Sequence, residues 1–259
     1  MMEAKTVNEV IKNLDLIIEQ SKTEQSPMGY FAALYQKVTI KVKEKIEAKF
    51  FDDNERMEKL DVVFANRYLS AYSNYSNEHP ITQSWKIALD ATKNNRLIVL
   101  QHLLLGMNAH INLDLGIAAA QISDEANIEG LKSDFDKINS ILASLVDEVQ
   151  KDLAEIWPTL TKILRFVKAI DDVLINFSMS LARDSAWDFA KKLTATDDSM
   201  KDQVINDKDI KVSELTRIIS HPGIIVSFFL LFVRFGEKGK PSDKILALEE
   251  VIQKKLSVV

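Results

Sequence analysis

The 259-residue chain has no cysteine, which excludes thiol nucleophiles, disulfides and thiolate zinc sites. It has only 7 glycines and 5 prolines. Sandwiches, barrels and doubly wound sheets need many tight turns, so this scarcity points to long helices joined by short loops. Basic residues form no run. They are interspersed with acids, the net charge is −5 and the isoelectric point is near 5.5, so there is no electrostatic footprint for nucleic acid. The sequence contains no phosphate-binding glycine loop, no G-x-S-x-G and no H-E-x-x-H, and neither a nucleotide nor a flavin cofactor is expected. The greasiest run, GIIVSFFLLFV at 223–233, stops at Arg234. A spanning helix needs about 20 apolar residues, so a core helix covered on all sides is expected there and no membrane span. The N-terminal MMEAKTVNEVIKNLD has no apolar signal core, which predicts a cytoplasmic protein.

What the chain does have is apolar content, 46% against 27% charged, sufficient for a sizeable folded core. Helical periodicity runs almost throughout. Helices are expected over about 7–23, from Ser26-Pro27 to about 49, 54–76, from Thr82 to about 94, and 96–121. More are expected over about 126–156, from Pro158 to about 193, 212–235 and 241–257. The polar stretch TDDSMKDQVINDKDIK at 196–211 reads as a loop with a short helix and is the one candidate linker. The expected fold is therefore all-α: a single bundle of about eight to nine helices over 1–259 around a buried central helix at about 96–121. A C-terminal pair at 212–259 is the conceivable separate unit.

The central segment, HLLLGMNAHINLDL at 102–115, carries two histidines, two asparagines and an aspartate among leucines. At about 100° per residue, His110 and Asp114 fall on one stripe and Gln101, Asn108 and Asn112 on a nearly opposite one. The amide stripe suits stitching to a neighbouring helix, or ligand contact. His110 and Asp114, four residues apart, suit an imidazole oriented by a carboxylate for proton transfer, or two ligands of a single divalent metal. The alternative is a hydrogen-bonded core histidine. His102 lies two turns earlier, too far to share an ion with His110.

Two other segments place polar groups in apolar surroundings. LDVVFANRYLSAY at 60–72 has Asp61, Ala65, Tyr68 and Tyr72 on one stripe, with Arg67 beside it. AIDDVLINFSMSLARDSAW at 169–187 aligns Asp172, Asn176, Ser180, Arg183 and Trp187, while Asp184 continues the apolar line Val173–Phe177–Leu181. If the three segments face one another, a polar cavity forms inside the bundle, lined by His110, Asp114, Arg67, Tyr68, Asp172, Arg183, Asp184 and Trp187. The adjacent Asp171 and Asp172 point about 100° apart and form no catalytic couple by themselves.

LDVVFANRYL (60–69), MNAHINLDL (107–115) and ARDSAW (182–187) together resemble a bacterial domain family of unknown function with an N-A-H-I-N-x-D-L signature. The resemblance reaches to about residue 235; it implies an all-α protein and no particular activity. The His110–Asp114 pair is also similar to the H-x-x-x-D pairs of all-α zinc phosphodiesterases. That trinuclear site needs several more histidines than the four here, His79, His102, His110 and His221. Three functional readings stay open. One is a hydrolase-like enzyme using His110 and Asp114, with Arg67 or Arg183 holding an anionic group. The others are a non-catalytic small-molecule or lipid binder, and a structural or interaction protein whose polar core only fixes helix register.

Overall fold

The computed structural model describes residues 3–138, 140–141 and 179–256, and no strand forms among them. Helix α1 (Val7–Glu24) starts where the Thr6 hydroxyl accepts the Glu9 N–H at 3.2 Å, a side-chain cap for an otherwise orphaned donor. Its stripe Val7, Val10, Leu14, Ile17 and Ile18 is almost wholly buried. The chain reverses at Gln25, in the left-handed region (φ 55°), into α2 (Met28–Glu47), making an αα-hairpin. Helix α3 (Asn54–Ser76) is capped by Asp53, whose carboxylate accepts the Arg56 N–H at 3.0 Å.

Helix α4 (Gln83–Asp90) closes with a single tight turn at Ala91–Lys93. Thr82, at its N-cap, makes no capping bond. The carboxylate of Asp209, more than a hundred residues later, takes that role: it accepts the backbone N–H of Gln83 and, at 2.9 Å, of Ser84, and the Ser84 hydroxyl at 2.6 Å.

The central helix α5 (Val99–Gln121) packs against α2, α3 and α4 and two later helices. It is the one described helix long and apolar enough to cross a membrane, although the longest apolar run in the sequence lies elsewhere. Of its apolar window 83% is buried inside the protein, as befits a helix apolar on nearly every side. Its first N–H, from Val99, is accepted by both oxygens of the buried Glu237 carboxylate at 3.0 and 3.2 Å. Negative charge at a helix N-terminus is favourable. The Lys244 ammonium, 3.2 Å away and equally buried, balances Glu237.

A short turn (Ile128–Leu131) and helical residues 132–138 and 140–141 follow, and the rest of the expected 126–156 helix lies outside the described residues. Helix α6 (Met179–Thr194) buries Ala182, Ala186, Phe189, Ala190 and Leu193. Helix α7 (Asp198–Ser220) corrects the expectation of a loop with a short helix at 196–211: from Asp198 on, that polar stretch is the start of one continuous helix. Its charges face water while Asp209, Val212, Thr216 and Ile219 face α4 and α5. A helix whose first half is nearly all polar has too weak an apolar period to be read as one. Helices α8 (Ile224–Gly236) and α9 (Pro241–Leu256) complete the described chain. Their Val226, Leu230, Val233, Ile245 and Leu248 join the same buried cluster as α1–α5.

Gly116 sets the approach of α5 to α6. A methyl group there would stand 2.8 Å from the Ala186 carbonyl oxygen and 2.7 Å from the Phe189 ring, and backbone cannot give way as a flexible side chain can. Overpacking of this kind costs about 1–3 kcal/mol, against about 1 kcal/mol regained from helix propensity. Gly116→Ala is therefore expected to lower the urea midpoint; an unchanged or higher midpoint would contradict this packing.

Candidate functional site

The segment HINLD departs from the α-helical ladder. His110–Asp114 form a π-helical turn, and the Leu115 N–H bonds the His110 carbonyl five residues back. Such turns add one residue to a helix and recur at functional sites. Here the turn brings the His110 Nδ1 to 3.1 Å from Asp114 Oδ2, with both side chains about 1–2% exposed.

Asp114 is the hub of the site. Its Oδ2 also accepts the Trp85 indole N–H at 2.7 Å from α4, and its Oδ1 accepts the Arg67 Nε–H at 3.2 Å from α3. Three helices thus each supply a donor to one carboxylate, which is how a buried negative charge is made tolerable. Because an ionised carboxylate can only accept, Nδ1 of His110 carries the proton and Nε2 presents a bare lone pair. Burial lowers the His110 pKa, opposed by the bond and charge of Asp114, so the imidazole is neutral. Its Nε2 is buried with no hydrogen-bond partner among the described residues.

Aromatic rings enclose the imidazole. Phe64 stacks on it with centroids 3.6 Å apart and planes 7° from parallel, and Tyr35 meets it edge-on at 4.6 Å. Phe31, Tyr68 and Trp85 stand at 5.9–6.2 Å. One turn before Phe64, Asp61 is buried. Burial, with the Glu58 charge adding, raises its pKa from the ordinary 3.8 to about 7.

Beside this hub a cleft of about 980 Å³ opens between α3, α4 and the first half of α7. Its wall includes Asn66, Arg67, Trp85, Asp114, Asn206 and Asp209. Arg67 keeps 29% of its side chain exposed. Only its Nε makes a hydrogen bond among the described residues, so both terminal amino groups are unspent at the cleft.

The sequence-predicted residues separate. Arg67 and Asp114 line the cleft, whereas His110 and Tyr68 lie behind its wall. Asn108 donates to the Val212 carbonyl at 3.0 Å and the Thr216 hydroxyl at 2.8 Å, and Asn112 donates to Asn108 at 2.8 Å. With Gln101, which donates to the Ile219 carbonyl at 2.9 Å, they stitch α5 to α7 and stand off the cleft. Arg183 is buried on α6 but is not part of the cleft wall. Trp187 packs on Phe135 at 5.0 Å in a second apolar cluster. Asp184, expected to be partly buried, is exposed along with Leu181, because α6 turns its Ala182–Ala186–Ala190 face inward. Asp171, Asp172 and Asn176 lie outside the described residues.

His102 stands apart near the C-terminal helices, 5.7 Å from the Tyr30 ring. Burial lowers its pKa to about 4, and the charges of Lys244 and Arg234 add to the effect. Among the described residues no three histidine, aspartate or glutamate side chains gather as a metal site requires. Trp85, Tyr35, Phe31 and Phe64 were not singled out from sequence. An aromatic at a helical position looks like any core residue until the fold puts it around an imidazole.

This geometry defines an all-α helical protein with a buried carboxylate hub beside an open cleft. The chain belongs to a family of unknown function (DUF5995), whose model matches residues 7–222, from the first residue of α1 to just before α8. No match was found among curated proteins or among solved structures.

Two outcomes test the hub and its surroundings. Trp85→Phe keeps an aromatic ring but removes the indole donor from a buried carboxylate, and is expected to cost about 1–3 kcal/mol in urea unfolding. An unchanged midpoint would remove Trp85 from the hub. For Asp61 the folded pKa lies above the unfolded one, so the folded chain holds the extra proton between about 4 and 7. That stabilising contribution is complete below pH 4 and lost as pH rises through 7. Asp61→Asn is therefore expected to raise Tm relative to wild type more at pH 8 than at pH 5; equal shifts at both would refute it.

Proposed function

We propose that the cleft beside Asp114 binds a small molecule through a carboxylate or phosphate group, and that Arg67 is the anchoring residue. The observation carrying this reading is the tethered guanidinium. Asp114 holds Nε, the side chain stays partly open to the cleft, and the two terminal amino groups remain unspent. A guanidinium fixed in this way presents a planar fork suited to bidentate oxyanion recognition, with little further ordering needed on binding. The polar walls supply orienting groups, and the volume of about 980 Å³ suits a metabolite-sized ligand.

The same geometry favours binding over hydrolysis. In a hydrolase-like mechanism His110 would have to reach the substrate as a base. The imidazole is 2% exposed and caged by rings, and both oxygens of Asp114 already accept hydrogen bonds.

Thermal-shift and calorimetric screening of carboxylates, inorganic phosphate and phosphate monoesters tests the proposal, alongside native mass spectrometry for a co-purifying ligand. At least one anion is expected to raise Tm. Arg67→Lys keeps the charge but loses the fork, and is expected to weaken that ligand about 10–100-fold. Binding that survives this substitution undiminished, or no response to any anion at millimolar concentration, would overturn the reading.

A further inference from the structure

Arg67 fixes one end of a ligand, and the charges around it limit what else that ligand can carry. Among the described residues lining the cleft, four are acidic and two basic. Most of these charges are engaged. Arg67 and Asp114 hold each other, Asp209 caps α4, and Lys86 pairs with Asp90 of its own helix at 2.7 Å. Two acids remain. Glu3 and Asp202 are exposed at the wall and take part in no hydrogen bond or ion pair among the described residues. Both are nevertheless carried on fixed supports. Asn66 of α3 accepts the Ala4 N–H at 2.9 Å and donates to the Ala4 carbonyl at 2.7 Å, which pins the segment bearing Glu3 beside Arg67. On α7, Asp202 stands seven residues before Asp209, two turns along the same face at a rise of about 10 Å. The bonds of Asp209 to α4 hold that face against the cleft.

We propose that the cleft takes a zwitterion of the amino-acid class, with its carboxylate on the Arg67 fork and its ammonium toward Glu3 and Asp202. This rests on Arg67 as the anchor and narrows the choice between carboxylate and phosphate. A carboxylate brings one negative charge to a guanidinium already shared with Asp114. A phosphate monoester brings nearly two, and like charges brought together in a binding site cost affinity. With acids outnumbering bases along the described wall, the dianion meets repulsion that a single guanidinium must offset. An ammonium on the same ligand turns the two spare carboxylates from a penalty into an attraction. The wall also includes the partly buried Val63, Ile81 and Ile205, which suit an aliphatic body between or beside the charged ends. The Thr82 hydroxyl belongs to the same wall and is buried with no hydrogen-bond partner among the described residues, so it is left to orient a polar group of the ligand. A volume of about 980 Å³ admits a single amino acid or a short peptide. The two share their terminal charges and differ in how far apart they hold them.

Titration calorimetry of the full chain with matched ligands tests the proposal: leucine against isocaproate, ε-aminocaproate against caproate, and dileucine against N-acetyl-dileucine. Each pair shares a carboxylate and differs in the ammonium. In at least one pair the zwitterion is expected to bind about 5-fold tighter, the gain of an ion pair at a solvent-exposed acid. The pair that shows it separates a free amino acid from a peptide. Glu3→Gln combined with Asp202→Asn changes two exposed side chains that hold nothing else, so the helical circular dichroism is expected to persist while that ratio falls to about one. Arg67→Lys is expected instead to weaken both members of the pair alike. The proposal is overturned, with Arg67 still the anchor, if a phosphate monoester or a des-amino acid binds through Arg67 at least as tightly as every zwitterion. It is also overturned if the ratio survives the double variant. If neither zwitterions nor simple anions bind at millimolar concentration, this proposal and the anchoring role of Arg67 fall together.

Discussion

A negative charge sealed from water must be answered by donors in fixed positions, and in this protein the charge is Asp114. Its carboxylate takes one donor from its own helix, one from α3 and one from α4. Removing a donor from a buried carboxylate costs about 1–3 kcal/mol. The mutual placement of the three helices is therefore constrained more tightly by this oxygen pair than by the interchangeable leucines around it. The donors also arrive in a particular manner. Arg67 spends its inner nitrogen and Trp85 its indole, and both residues then continue into the wall of the cleft. The interaction that holds the bundle together is the one that shapes its open surface.

A second buried carboxylate anchors the other end of the central helix. Glu237 receives the Val99 N–H and is balanced by Lys244, while Arg234 donates to the Glu237 backbone carbonyl. The two charged centres have different roles. Asp114 joins elements within the span matched to the family, whereas Glu237 attaches the helices beyond that span to it. Asp209 does something similar at smaller scale, lending α7 to the N-terminus of α4. Three carboxylates distant in sequence from what they hold thus serve as the long-range fasteners of an otherwise local, helical topology.

Much of this was legible in the residues alone. The stripe of α1, the Asp53 cap before α3 and the apolar envelope of α5 follow from periodicity and a few turn residues. The nearly opposite stripes of His110–Asp114 and Asn108–Asn112 were visible as phases on a helix. The partner of the second stripe was not, because α7 opens with charges that look like a loop. On α6 the inward face belongs to three alanines, too small to dominate a pattern in which Leu181 and Phe177 suggested another side. The aromatic cage could not be read at all. Phe31 and Tyr35, on α2, differ in no local way from ordinary core residues, and only the long-range packing of α2 on α5 gives them an imidazole to surround. On α8 Val226, Leu230 and Val233 are buried while Ile224 and Phe235 are exposed, a division that a wholly apolar run does not announce.

The surplus residue in the turn at 110–114 has a structural consequence of its own. An uninterrupted helix transmits its phase: choosing which side chain faces one neighbour at its start dictates what faces another at its end. By absorbing an odd residue midway, α5 uncouples its two halves. Upstream, Asn108 is indexed to α7; downstream, Gly116 is indexed to α6. Each half can then be matched to its own neighbour, with the histidine and aspartate sitting at the joint where the two alignments meet.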